Sequence, residues 1–405
     1  MNRLSTAAAA LVLTLLAAGP ARADGAYFEG NDPNPAPLKY SEDVLLATLT
    51  QQLARQKVAT VKNLVTGATE VAKLSRAEKV AVLYLAGSKP GAEFNLMIEE
   101  NGQYLPVKTW WDGDTITFKT GAPRKALYGK ASSKEEIQKK YGIGPFVDSG
   151  ARWDNDSLFI VETALATLSP AELEGVAGLP FHRMVKDPSN KVVVGVAIAM
   201  YVPEKSQIEL YDFGIDADKR RFLGPLEKPV PTSVASVVHE CGHAISRKGT
   251  RATRLKAVEA KKEYDEINAR LIAGKKTYDE DKATYARTKD AALGKALSER
   301  VPALKQLIAD LAVAKKRFEP LAAQMTADES KGSGLERALD AKLPFKSSPT
   351  IYGRTSLAES FAECLSLHKL DRAALDRAAP GISAWFESPE YAALLQPAGS
   401  APLQP

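Results

Sequence analysis

The stretch that most restricts how this chain can fold is Pro231 to Gly249, which encodes one amphipathic helix with marked ends. Pro231, Thr232 and Ser233 supply start signals, and Arg247, Lys248 and Gly249 supply stop signals. At about 100° per residue, Val234, Val237, Cys241, Ala244 and Ile245 fall within one sector, while His239 and His243 fall together on the opposite side. One face must therefore pack, and the other presents two of the chain's four histidines one turn apart. In the run His239-Glu240-Cys241-Gly242-His243, that spacing lets two imidazole nitrogens reach one zinc ion, with Glu240 beside them to take a proton from water. The plainer alternative is a solvated face that happens to carry a histidine pair.

With 405 residues, 45% hydrophobic and 25% charged, the chain has room for two or three cored units and is neither disordered nor fibrous. Its first 23 residues differ from the rest. Arg3 precedes an apolar run from Leu4 to Ala18, followed by Gly19-Pro20 and the small-x-small sequence Ala21-Arg22-Ala23, the pattern of a cleaved secretory signal. The mature chain is expected to begin near Asp24 and to be exported, to the periplasm or the extracellular space. Removing Arg3 and Arg22 lowers the net charge from +5 to +3, too little and too evenly spread to argue for nucleic acid. No other segment is long and apolar enough to span a membrane. Export permits disulfides, yet Cys241 and Cys364 are the only two cysteines, so hydrophobic cores must hold the protein together.

Residues 24 to 38 are rich in Pro, Gly and Asn and read as a leader. Helical patterns are expected from about Ser41 to Lys73, and strands from Val80 to Thr120, with Glu100-Asn101-Gly102-Gln103 and Trp110 to Asp114 as turns. This part reads as a small α+β accessory or pro-domain over residues 24–128, with Trp110 and Trp111 in core or hairpin packing. Asp156 to Leu168 is an apolar helical segment. Lys191 to Val202 and Ser206 to Gly214 read as successive strands joined at Pro203 to Lys205, just before the histidine helix.

A catalytic zinc site takes a third protein ligand and leaves a position open. The residues after His243 that would continue a metzincin motif are Ser246 and Gly249, so the third ligand must lie elsewhere. His182 falls in an expected irregular loop. The better candidate is the segment Tyr352 to Leu367, where Glu359 and Glu363 lie one helical turn apart, opposite Leu357, Phe361, Cys364 and Leu365. His368 projects to that apolar side and reads as a core or surface histidine. Glu359 has a competing role, because Ser356-x-x-Glu359 fits a capping box in which the carboxylate only satisfies a backbone amide.

Tyr352, Glu359 and Glu363, at intervals of seven and four, together with His239-Glu240-Cys241-Gly242-His243, resemble the catalytic domain of anthrax lethal factor and the related bacterial Pro-Pro endopeptidases, which are zinc gluzincins. The resemblance covers roughly Trp153 to Gly249 and Pro344 to Leu395. It implies that His239, His243 and Glu359 are ligands of one Zn2+ ion and that Glu240 is the general base. It further implies that Tyr352 donates to the transition-state oxyanion and that Glu363 supports a ligand from behind. Gly195 to Val202 would then be the edge strand onto which an extended peptide adds.

The 115 residues between His243 and Glu359 exceed that family's usual spacing. From about Leu255 to Met325 the sequence is rich in Ala, Lys, Glu and Leu, with apolar positions such as Leu255, Val258, Ile267, Leu271, Leu297, Leu304, Leu307 and Leu311. This pattern predicts two arms of an antiparallel coiled-coil hairpin, reversing near Gly274 or around Gly294 to Pro302. The expected architecture is thus an α+β fold. It has a zincin-type domain over residues 129–250 and 341–396, a helical insertion over 251–340, a smaller N-terminal α+β domain, and a tail at 397–405. The expected activity is that of an exported zinc metalloendopeptidase acting on a protein or peptide substrate. The alternative is a non-catalytic exported scaffold with a structural or degenerate zinc site, in which the hairpin does the work. Cys241 and Cys364 lie on the sides of their helices away from the metal, so both should be buried free thiols.

Overall fold

The computed structural model describes residues 36–185, 199–212, 215 and 221–396. The expected signal sequence, most of the leader, the strand residues 191–198, 213 and 214, and the tail lie outside these. The chain divides into two compact units, one holding residues up to Leu127 with Lys219–Thr232 and Pro349–Ile351, the other holding the remainder. The first unit gives way to the second at Leu127–Tyr128, where the sequence reading set residues 24–128 apart from 129–250. The two short returns to the first unit were expected in the zincin-type part.

In the first unit, helices α1 (Glu42–Arg55) and α2 (Arg76–Ala86) cover one four-stranded sheet built from β1 (Thr60–Asn63), β2 (Glu93–Glu100), β3 (Gln103–Trp111) and β4 (Thr115–Thr120). The order is β1-β4-β3-β2, with β1 parallel to β4 and the other pairs antiparallel. Two expectations need correction. Thr60–Asn63 is a strand inside the stretch read as helical, because its partner is β4, about fifty residues on in the chain. Val80–Ala86 is helix, not strand: the Ser75–Glu78 capping box starts a helix there, and its run of apolar residues is buried all round. The β2–β3 turn is as expected, with Asn101 and Gly102 both at positive φ in a two-residue hairpin loop. Trp111 is buried, and its Nε1 donates to the Gly113 carbonyl.

The second unit contains α3 (Lys134–Tyr141), β5 (Phe146–Ser149), α4 (Asn155–Ala166), α5 (Pro170–Val176), β6 (Phe181–Met184), β7 (Ala199–Val202), β8 (Gln207–Tyr211) and α6 (Thr232–Ser246). Strands β5, β6 and β8 are parallel, and β7 adds antiparallel at one end in the order β5-β6-β8-β7. A row of side chains crosses the sheet in register through Phe146, Phe181, Ile208 and Tyr201. The last three are buried, and Trp153 packs edge-on against Phe146 with ring centroids 4.7 Å apart. His182 therefore sits in strand β6, not in a loop. Its four-residue strand is recognisable only through its two parallel partners.

The insertion is a hairpin of α7 (Arg251–Thr288) and α8 (Ala291–Lys331), arms about 57 and about 62 Å long by helical rise. Tyr264 stacks on Phe318, Glu263 pairs with Arg317, and at the root Arg254 pairs with Glu329. The reversal occurs at Lys289–Asp290, not at either glycine-containing region. Lys289 takes a left-handed conformation, and the Asp290 carboxylate caps the amides of Ala292 and Leu293. Gly274 and Gly294 instead lie inside the arms, where a Cβ would come within 2.9 Å of Leu304 and of Tyr285 respectively. Those glycines mark close approach of the arms.

Helix α9 (Gly334–Asp340), expected as the end of the insertion, packs instead with α10 (Leu357–Leu370), which is followed by α11 (Arg372–Ala378), α12 (Ile382–Phe386) and α13 (Pro389–Leu395). Among the described residues no helix is long and apolar enough to cross a membrane.

Candidate metal centre

Helix α6 buries the sector read from its sequence, with Val234, Val237, Cys241 and Ala244 fully enclosed. It crosses α10 closely: a Cβ on Gly242 would lie 3.0 Å from the Ala362 Cα. The Ser366 hydroxyl donates to the Ala235 carbonyl at 3.0 Å and fixes the same crossing. Because Gly242 and Ala362 are neighbours of His243 and close to Glu359 in sequence, this approach carries the histidine pair to the glutamate helix.

There the side chains converge. His239 Nε2 and His243 Nε2 lie 3.1 Å apart, and Glu359 Oε2 lies 3.0 Å from the first and 3.2 Å from the second. Both histidines are buried. This cluster of two imidazoles and one carboxylate could hold a metal ion. The capping-box alternative for Glu359 is half realised. Ser356 Oγ accepts the Glu359 amide at 3.1 Å, but the Glu359 carboxylate turns to the histidines and makes no return bond to the Ser356 amide.

The surroundings favour positive charge at this point. Burial opposes a charged His239, yet Glu359 and Glu363 outweigh it and raise the imidazole well above its ordinary value. Burial likewise opposes the charged form of Glu359, and the two histidines more than compensate, holding its carboxyl far below the usual range. A divalent cation meets the same demand. Glu363, itself buried, places Oε1 2.9 Å from His239 Nδ1 and so directs Nε2 toward the cluster.

Glu240 sits beside the cluster. Its Oε2 accepts the backbone N–H of Tyr201 at 2.6 Å, from strand β7 at the end of the sheet. Desolvation pushes the Glu240 carboxyl up, against the pull of His239, His243 and the Tyr201 amide. Comparison with known protein families, curated proteins and solved structures finds no match for this chain.

Tyr352 opens the 3-10 turn Tyr352–Thr355 just before α10, with its ring centroid 5.7 Å from that of His239. Desolvation and the neighbouring Glu359, Glu240 and Glu363 raise the phenol above its ordinary value, while 48% of the residue stays exposed. All six residues singled out from the sequence are thus brought together. His182 and His368 are not. His368 stacks on Phe386 at 5.0 Å, and burial lowers it to about 4, as befits a core histidine.

Two supports had no readable signal. The Tyr201 amide is a backbone group. Buried Glu336 takes the Ser333 amide in a visible capping box, but its other oxygen accepts the hydroxyl of Ser246, whose Oγ also lies 3.1 Å from the His243 carbonyl oxygen. This pins the last turn of α6.

Cys241 and Cys364 are both free and buried. Burial pushes the Cys364 thiol up to about 12 and the Cys241 thiol higher still. The expected result is no alkylation of the native protein at pH 8 and two reactive thiols in denaturant without reductant. Finding none in denaturant would mean that α6 and α10 pack differently.

Proposed function

We propose that this protein is an exported zinc-dependent endopeptidase of the gluzincin kind. The observation that carries the reading is the convergence of His239 Nε2, His243 Nε2 and Glu359 Oε2 within 3.0 to 3.2 Å of one another, with Glu240 alongside. Tetrahedral zinc with bonds of about 2.0–2.1 Å separates its ligands by about 3.3 Å, so the donor set fits with little adjustment. Three protein donors, the number found among the described residues, are the complement of a catalytic site. The export signal expected at residues 1–23 supports the location.

When bound, zinc would supply a Lewis acid that polarises the peptide carbonyl and acidifies water. The chain's own groups do the rest. Glu240, held in position by the Tyr201 amide, takes the proton of the attacking water and passes it to the leaving amine. Tyr352 donates its phenolic hydrogen to the oxyanion that develops on the carbonyl. Glu363 keeps His239 in the tautomer whose Nε2 lone pair faces the metal. Among the described residues strand β7 ends the sheet, and it carries Tyr201 next to Glu240, so its outer edge is where an extended peptide would pair.

The test is metal analysis of the purified protein combined with cleavage of a peptide library before and after chelation. Stoichiometric zinc and chelator-sensitive cleavage are expected. Zinc without cleavage of any peptide would overturn the reading. Tyr352→Phe should retain zinc and lower turnover by roughly 10²–10³-fold, the range for loss of one oxyanion donor. An unchanged rate would remove Tyr352 from the mechanism.

A further inference from the structure

We infer that the cleft at the root of the helical hairpin is a subsite for an acidic residue of the peptide substrate, with Arg247 reading its carboxylate. This rests on the peptidase reading above.

The cleft has a volume of about 970 Å³, at the upper end of the range of ligand sites. Its walls are the end of α6 and the turn that follows, the roots of both arms, and the first turn of α10. It therefore starts where the two metal-bearing helices run out. Arg247 follows His243 by four residues, and its amide still bonds to the His243 carbonyl, so it lies about 6 Å further along the helix. That is the span of two residues of extended peptide. On the facing helix, Ser356 lies three residues before Glu359 and also lines the cleft.

Among the described residues, the charged side chains lining this space each have a hydrogen-bond or ion-pair partner, with one exception. Lys248 pairs with Glu174 at 2.7 Å, Arg254 pairs with Glu329 at 2.7 Å, and Arg337 donates to the Gly332 carbonyl at 2.6 Å. Of the acids, Glu336 holds Ser246 and the Ser333 amide, and Asp328 accepts from the Gln324 side chain at 2.8 Å. Arg247 is half-buried, and its guanidinium has no partner among the described residues. Ser356 Oγ takes only the Glu359 amide, so the first-turn amides of Leu357 and Ala358 also lack an acceptor within the helix. A half-buried, unpaired guanidinium facing a cleft next to the reaction centre is suited to a carboxylate, which it can bind through two parallel hydrogen bonds.

The test uses the full chain carrying Glu240→Gln, loaded with zinc, and pools of fluorescein-labelled ten-residue peptides in which one position at a time is fixed as Glu or as Gln. Anisotropy should find a position where Glu pools bind about tenfold tighter than Gln pools, the size of one charge-assisted hydrogen bond. Adding Arg247→Gln should bring that ratio to about one, and Arg247→Lys should restore part of it. No preference for Glu at any position, or a preference that survives Arg247→Gln, overturns the proposal. Because binding is read without turnover, a Glu preference in a protein whose unsubstituted form cleaves nothing would sink the peptidase reading and leave the subsite standing.

Discussion

Glu240→Gln is expected to keep its metal ion and to lose peptide cleavage by roughly 10²–10⁴-fold, the contribution of a positioned general base. The expectation follows from which atoms the substitution touches. The three donor atoms belong to His239, His243 and Glu359, and none is altered. The Gln side chain keeps a carbonyl oxygen that can still accept the Tyr201 amide, so the contact between strand β7 and α6 is kept. What disappears is the ability to bind a proton. Metal content measured with kcat/KM on one peptide separates the two effects. Near-normal cleavage by a zinc-loaded Glu240→Gln protein would rule out this base. Loss of zinc together with cleavage would mean that Glu240 supports the site structurally.

Glu359→Ala is expected to give the largest loss of metal, because it removes one of three protein donors and leaves the two imidazole nitrogens, 3.1 Å apart, without the carboxylate that balances the ion's charge. The cost should exceed the tenfold to hundredfold loss in metal affinity expected for Glu363→Ala, which only orients His239. Zinc titration of the two variants against a competing chelator gives the order directly. The helix itself should survive either change. Ser356 Oγ still receives the amide of residue 359, and Phe361, Cys364 and Leu365 remain fully buried. Equal zinc affinity in Glu359→Ala and the unsubstituted protein would return Glu359 to the capping role.

The long arms illustrate a limit of local reading. Their apolar spacing made two antiparallel helices legible, and Leu271 is indeed buried in the seam. The point of reversal was not legible, because glycine inside a helix can mark either a break or a tight contact. A left-handed Lys289 followed by a capping Asp290 achieves the turn without glycine. Strands β1 and β6 were missed for a related reason. Each has only four residues, and each is defined by parallel partners distant in the chain, whose contribution no window of a few residues contains.

For the site, the sequence by itself determined which residues share a face. The interval of four between His239 and His243, and again between Glu359 and Glu363, sets the side chains one turn apart on any helix, and the apolar residues opposite dictate which side is buried. The tertiary structure alone decided what those faces meet. A glutamate three residues after a serine can cap its own helix or bind a metal, and the local sequence does not distinguish the two. The choice for Glu359 was made by α6, 120 residues away, which comes near enough because Gly242 lets the helix backbones approach. The same holds for the Tyr201 amide: the order of the sheet, not the identity of residue 201, brings a backbone N–H to Glu240. Helical periodicity is a property of neighbours along the chain. The meeting of two helices and a strand end depends on how their cores pack, and that is settled only when the whole unit folds.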